Sequence, residues 1–216
     1  MQQIAAGHGK LLKFKKRRKI MGQRSQIFVR FEKELGEKEI VARYFNWNYG
    51  ERMISRVYHT IAWIKAHLEL TNSDPGQYLS QNRKKLVRIL DTNFDMYDIT
   101  IASNILKEYE EFDWHMPLND FMFNGQDNND GKAFIDVKRN GMIKYALLTS
   151  DNVLCNPSEY MVWDIDKEWM IPDKYISKRM IGITEEHIEE LSDIATLMTE
   201  EEVKEFMEYE YAGGEK

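Results

Sequence analysis

Asn140-Gly141 stands between two apolar runs, Phe134–Arg139 and Met142–Leu148. Both central positions of a two-residue hairpin turn need positive φ, which Asn and Gly tolerate better than other residues, so this dipeptide predicts an antiparallel hairpin here. The Asn-, Asp- and Gly-dense loop 124–131 separates the hairpin from Phe121-Met122-Phe123. A three-stranded antiparallel meander is expected, with Tyr160 to Ile165 as a fourth strand. A second hairpin is predicted upstream, where Ile27, Val29 and Phe31 alternate with Phe28 and Arg30 and a further alternation runs from Ile40 to Trp47.

Helical spacing takes over after Asn48. Ile54, Val57, Tyr58, Ile61, Ile64 and Leu68 recur at three- and four-residue intervals, and Asn48 with Glu51 has capping-box spacing, so a helix is expected from Tyr49 to Glu69. Asp74-Pro75 with Gln77 supplies an N-cap, a first-turn proline and a capping partner for a second helix, from Pro75 to about Asp91. Residues 98–112 are read as a third helix, although β-branched Ile99, Thr100 and Ile101 also suit a strand. Thr184 and Thr199 each precede acidic first turns and predict two closing helices, the second with Glu202 completing a capping box. Hairpin, helices, meander and helices in that order argue an α+β fold with antiparallel pairing, against an alternating βα fold. The expected organisation is a basic flexible arm over residues 1–20, an α+β core over 21–183 and acidic helices over 184–216, with Met1 or Met21 as the true start.

Several function classes are set aside by composition. An apolar fraction of 43% beside 31% charged residues belongs to a folding, globular chain. Charge interrupts every long apolar run, so no membrane span is expected. The basic residues of the first twenty are not followed by the apolar stretch of a secretory signal, which leaves the cytoplasm as the expected compartment. Cys155 is the single cysteine, which excludes an internal disulfide and a multi-cysteine zinc site. No GxGxxG or GxxxxGK[ST] follows a strand. No cofactor and no metal is expected.

Charge is unevenly distributed along the chain, whose net charge is −6. Residues 1–100 carry 19 Lys/Arg against 10 Asp/Glu, whereas residues 101–216 carry 11 against 26. Such asymmetry suggests one surface that faces polyanions and another that faces cations, or halves that attract each other or a second copy of the chain.

Three constellations follow. On the Tyr49–Glu69 helix, Arg52, Arg56, His59, Trp63 and His67 fall on one face at 100° per residue, a pattern suited to phosphate contact and base stacking. The same pattern also describes the ordinary solvated face of an amphipathic helix. Residues 184–216 hold twelve carboxylates and two lysines, and the spacing of Glu189, Glu190, Glu201 and Glu205 suits imitation of a phosphate backbone. Helix-dipole complementarity and solubility are the plainer explanation. Asp120 with Asp136 and Lys138 echoes a metal-dependent nuclease set, and Asp164, Asp166 and Glu168 alternate as oxygen ligands would. The segment Asp127 to Gly131 is a turn: placed in calcium-loop register, Val137 would stand where a bidentate Glu is needed. His59 and His67 lack an HExxH context, and Cys155 has no histidine near it in sequence.

The runs from Met21 to Arg30 and from Ala42 to Met53 resemble the start of small uncharacterised proteins encoded by phages and prophages of Gram-positive bacteria. The resemblance implies a mobile-element origin and carries no catalytic residue. It favours a non-enzymatic binding protein that inhibits a host nucleic-acid-processing or defence complex, anti-CRISPR-like in role. The alternative is a metal-dependent nuclease or a direct nucleic-acid binder using the basic half. The expected partner is a host protein or ribonucleoprotein complex.

Overall fold

The computed structural model describes residues 24–46, 48–71, 73–94, 104–106, 123, 128–162 and 178–211. The basic arm, residues 1–20, lies outside them. The first hairpin forms as expected from β1 (Arg24–Glu32) and β2 (Lys38–Asn46), in register from Arg24↔Asn46 to Glu32↔Lys38. Its turn places Leu35 at φ 65 and Gly36 at φ 79.

α1 (Glu51–Thr71) follows. Its predicted cap is not used, because the Asn48 amide turns inward to the Ser25 hydroxyl at 3.2 Å. The single helix predicted from Pro75 is two, α2 (Pro75–Gln81) and α3 (Arg83–Leu90). They break at Asn82, whose backbone leaves the helical region at φ −106 and ψ 21 and whose amide folds back onto the Tyr78 carbonyl at 2.9 Å. Asp74 caps α2 as predicted, accepting from the Gln77 N–H at 2.9 Å.

Within the span expected to be a third helix, Asn104–Leu106 is instead a strand, β3, paired antiparallel with β2. The remainder of that span lies outside the described residues. β4 (Lys132–Val137) and β5 (Ile143–Leu148) form the expected hairpin, but of the two central residues only Gly141 takes positive φ, at 83. The turn is therefore longer than the two-residue type the dipeptide predicts, with the Lys138 N–H donating to the Met142 carbonyl. β6 (Leu154–Cys155) continues the meander. Tyr160 belongs to α4 (Pro157–Val162) and not to a fourth strand. Asn156 and Glu159 set this helix by reciprocal side-chain-to-backbone bonds at 2.9 Å, with Pro157 between them.

α5 (Lys178–Ile194) starts well before Thr184, which is buried inside it. β7 (Thr196–Leu197) pairs parallel with β5, and α6 (Glu200–Glu208) closes the described chain with the predicted Thr199–Glu202 capping box.

The strands among the described residues join one sheet in the order β3-β2-β1-β4-β5-β6, with β7 also on β5. β1 and β4 pair in parallel, so the hairpin and the meander are halves of one mixed sheet, and the expectation of purely antiparallel pairing is corrected. The physical reason lies in β1, where both sets of alternating residues are buried. A strand covered on both faces belongs in the middle of a sheet, and the free edge of β1 is taken by β4.

The two faces carry separate cores. Ile27, Val29 and Phe31 meet Met53, Ile54, Val57, Ile61 and Ile64 of α1 on one. Phe28, Phe134, Ala146 and Leu148 meet Val203 and Phe206 of α6 on the other. Each of these large side chains stabilises the fold by roughly 1.5–3 kcal/mol. Among the described residues no helix is long and apolar enough to cross a membrane.

Candidate functional site

The stripe expected on α1 does not form a solvated basic face. Arg52 and Arg56 are each 1% exposed, because Asn48 and the segment after α3 wrap over the N-terminal half of the helix. Arg56 donates to Asn48 Oδ1 at 2.8 Å, to the carbonyls of Leu90 and Thr92, and to Asn93, and it stacks over Phe45 at 4.3 Å. Burial among these mostly neutral acceptors pulls its pKa down to about 9. Arg52 lies over the Tyr49 ring at 5.0 Å, with Nε 3.9 Å from Glu51 Oε1. Burial pushes the Glu51 carboxyl above the usual range, and Arg52 counters only part of that.

His59 and Trp63 sit half-buried in an aromatic seam. His59 is 4.3 Å from Phe94 and 5.0 Å from His187, while Trp63 meets His67 at 4.6 Å. The half of α1 that does reach solvent is the C-terminal one, where Ala66 is exposed and Leu70 is 81% exposed.

The acidic residues also part company. Glu189 and Glu190 are on α5, which packs on the α1 side of the sheet, whereas Glu201 and Glu205 are on α6, which covers the other face. β7 carries the chain around the sheet edge between them. The four therefore make two surfaces. Glu190 accepts from the Tyr58 hydroxyl, and Glu189 and Glu201 face solvent. Glu205 accepts from Arg30 at 3.0 and 3.2 Å and from Lys38 at 2.5 Å. Burial works against its charge, but the bonds from Lys38 and Arg30 hold its pKa below the usual range.

The nuclease-like pair is committed elsewhere. Asp136 is 3% exposed and takes a two-point contact from Arg30, while Lys138 reaches it at 2.7 Å. Desolvation opposes the Asp136 charge, but the hydrogen bond and field of Arg30 bring its pKa below the usual carboxylate value. A carboxylate held this way presents no open oxygen pair to a metal. Asp120, Asp164, Asp166 and Glu168 lie outside the described residues, among which no group of three or more His, Cys, Asp or Glu could hold a metal ion. Cys155 is buried and its thiol is pushed up, chiefly by burial, away from the thiolate form.

Sequence reasoning passed over Arg30, which is 1% exposed and ties β1, β4 and α6 together. Its signal was a cation inside the otherwise apolar run Ile27–Phe31, with a lone Asp at the matching place in β4. Lys132 was missed likewise: it is 3% exposed, donates to Asn152 Oδ1 at 2.7 Å, and is pulled down to about 8 by burial.

Charge of opposite sign does gather on the helical layer of the first face. α1 lies against β4, with α3 on its β2 side and α5 on its β7 side. Lys84, Lys85 and Arg88 of α3 are exposed, and so are Glu185, Glu186, Glu189 and Asp193 of α5. Comparison with protein-family models, with curated proteins and with solved structures gave no match.

Proposed function

We propose that this is a phage- or prophage-encoded, non-enzymatic binding protein that acts in the host cytoplasm. It inhibits a nucleic-acid-processing or defence complex by presenting carboxylates where that complex expects phosphates. The observation that carries this reading is the anchoring of α6. Its first turn is closed by the Thr199–Glu202 capping box, Phe206 stacks on Phe134 at 4.4 Å, and Glu205 is clamped by Arg30 and Lys38. Glu200, Glu201, Glu208 and Glu210 project to solvent from this frame. Carboxylates on a pre-ordered helix lose little conformational entropy on binding, which favours competition with a flexible nucleic-acid strand.

The exposed cations of α3 favour a second reading, direct binding of nucleic acid. One experiment separates the two. Cleavage by a purified RNA-guided nuclease complex is followed with added wild-type protein and with the charge-reversed variant E200K/E201K/E208K. Inhibition by the wild type, relieved by added salt and absent from the variant, supports the mimic. Absence of inhibition, together with salt-sensitive binding of the isolated protein to a labelled oligonucleotide, replaces it with the second reading.

A further inference from the structure

From the charge pattern of the helical layer we infer that a second copy of this chain docks on the outer face of α3, α1 and α5, about a two-fold axis parallel to α1. Three observations set the geometry. Lys84 and Arg88 stand one turn apart on the side of α3 opposite buried Leu86 and Leu90. Glu186, Glu189 and Asp193 stand on the side of α5 opposite buried His187 and Leu191. Between these flanks runs α1, half-buried at Ala62, and just beyond them it reaches solvent at Ala66, Glu69 and Leu70.

The flanks are level with each other along α1. The α5 end is fixed by Lys65, which donates to the Asp193 carbonyl at 3.3 Å, and a point lower down by the stacking of Tyr58 on His187 at 4.1 Å. α3 starts where Arg83 donates to the Ile40 carbonyl at 3.0 Å and ends where the Leu90 carbonyl accepts from Arg56. Both helices thus border the middle of α1, from Arg56 to Lys65.

Two face-to-face arrangements keep a two-fold axis in the plane between the layers. An axis perpendicular to α1 sets α3 against α3 and α5 against α5, so that like charges meet across the whole contact. An axis parallel to α1 sets each α3 against the α5 of the other copy at the same height. Only this second arrangement is electrostatically favourable, and it packs the two α1 helices in parallel, where Ala62 and Ala66 allow close approach. α6 lies on the opposite face of the sheet and stays outside the contact, so this inference stands apart from the proposed inhibitory surface.

The test uses the full chain and two charge-reversed variants, K84E/K85E/R88E and E186K/E189K/D193K, in sedimentation equilibrium, with circular dichroism as the control for folding. The wild type is expected at twice the chain mass at low salt and at the chain mass at about 1 M salt, where the screening length is roughly 3 Å. Each variant alone is expected to be monomeric, since reversal sets acid against acid or base against base. Mixed in equal amounts they are expected to form a mixed dimer, because both contacts are then complementary again. The milder K84Q/K85Q/R88Q, which removes charge without reversing it, is expected to weaken the wild-type dimer at least tenfold. A wild type that stays monomeric at low salt, a dimer that survives in either reversed variant, or a mixture that fails to pair would overturn the inference.

Discussion

Arg30 and Asp136 face each other across the parallel pair of β1 and β4, with Nε to Oδ1 at 2.9 Å and Nη2 to Oδ2 at 2.7 Å. The contact joins residues 106 apart in sequence, and the ring of Phe206 lies 4.3 Å from the guanidinium. Burial disfavours the Arg30 charge, yet the bonds and field of Asp136 more than offset it and keep the guanidinium protonated. Asp136→Asn should therefore leave a buried cation without its main counter-charge and cost about 3–5 kcal/mol. Replacing both partners, as Arg30→Met with Asp136→Leu, should recover most of that loss. Urea denaturation of the wild type and the two variants checks both statements; a double variant no better than the single would mean that Glu205 alone balances Arg30.

Lys132 gives a pH dependence. Its pKa is about 8 in the folded protein against an ordinary 10.5, so the unfolded chain binds the extra proton between those values. The cost of burying the ammonium is present in full below pH 8 and fades as pH rises toward 10.5. Lys132→Met should accordingly stabilise the fold at pH 7, and its advantage over the wild type should shrink across that window. Denaturation midpoints measured for both proteins from pH 7 to 10 test this, and an advantage that does not change with pH would refute it.

Gly76 lies in the first turn of α2, where alanine would ordinarily stabilise a helix by up to about 1 kcal/mol. Here a Cβ would stand 2.1 Å from the Glu32 carbonyl oxygen and 2.9 Å from the Lys33 Cα, both backbone atoms with little freedom to move. Gly76→Ala should be destabilising despite its helix propensity. A thermal midpoint at or above that of the wild type would show that α2 shifts without cost.

Thr199 caps α6 through its hydroxyl, which accepts from the Glu202 N–H at 3.3 Å, while the Glu202 carboxylate accepts from the Thr199 N–H at 3.1 Å. Thr199→Ala should lose about 1 kcal/mol. Amide hydrogen exchange should rise in α6 ahead of the sheet, and unchanged protection there would count against the cap as the anchor of that helix.

Much of the fold could be read from local chemistry. Asn140-Gly141 announced its hairpin, Asp74-Pro75 its helix start and Thr199 with Glu202 its cap, because each is decided by residues within one turn of one another. The sheet order could not be read this way, since a parallel pair between β1 and β4 depends on contacts across a hundred residues. The candidate site failed for a related reason. Helical periodicity assigns Arg52 and Arg56 to a face, but it says nothing about Asn48, Leu90 and Thr92, which arrive from elsewhere and roof that face over. In the same way, Glu189 and Glu201 are neighbours along the chain, yet a two-residue strand sends them to opposite sides of the sheet.

That short strand, Thr196–Leu197, also sets an order of events during synthesis. The face bearing Phe28, Phe134 and Arg30 receives Phe206 and Glu205 only after the chain has turned the sheet edge. A nascent chain that has not yet released α6 from the ribosome presents that apolar face uncovered by Phe206 and Arg30 unclamped by Glu205. Prematurely ended chains would keep both features exposed, and cellular proteases remove such molecules. Addition of α6 is thus the step that separates a chain with both faces of its sheet covered from one marked for destruction.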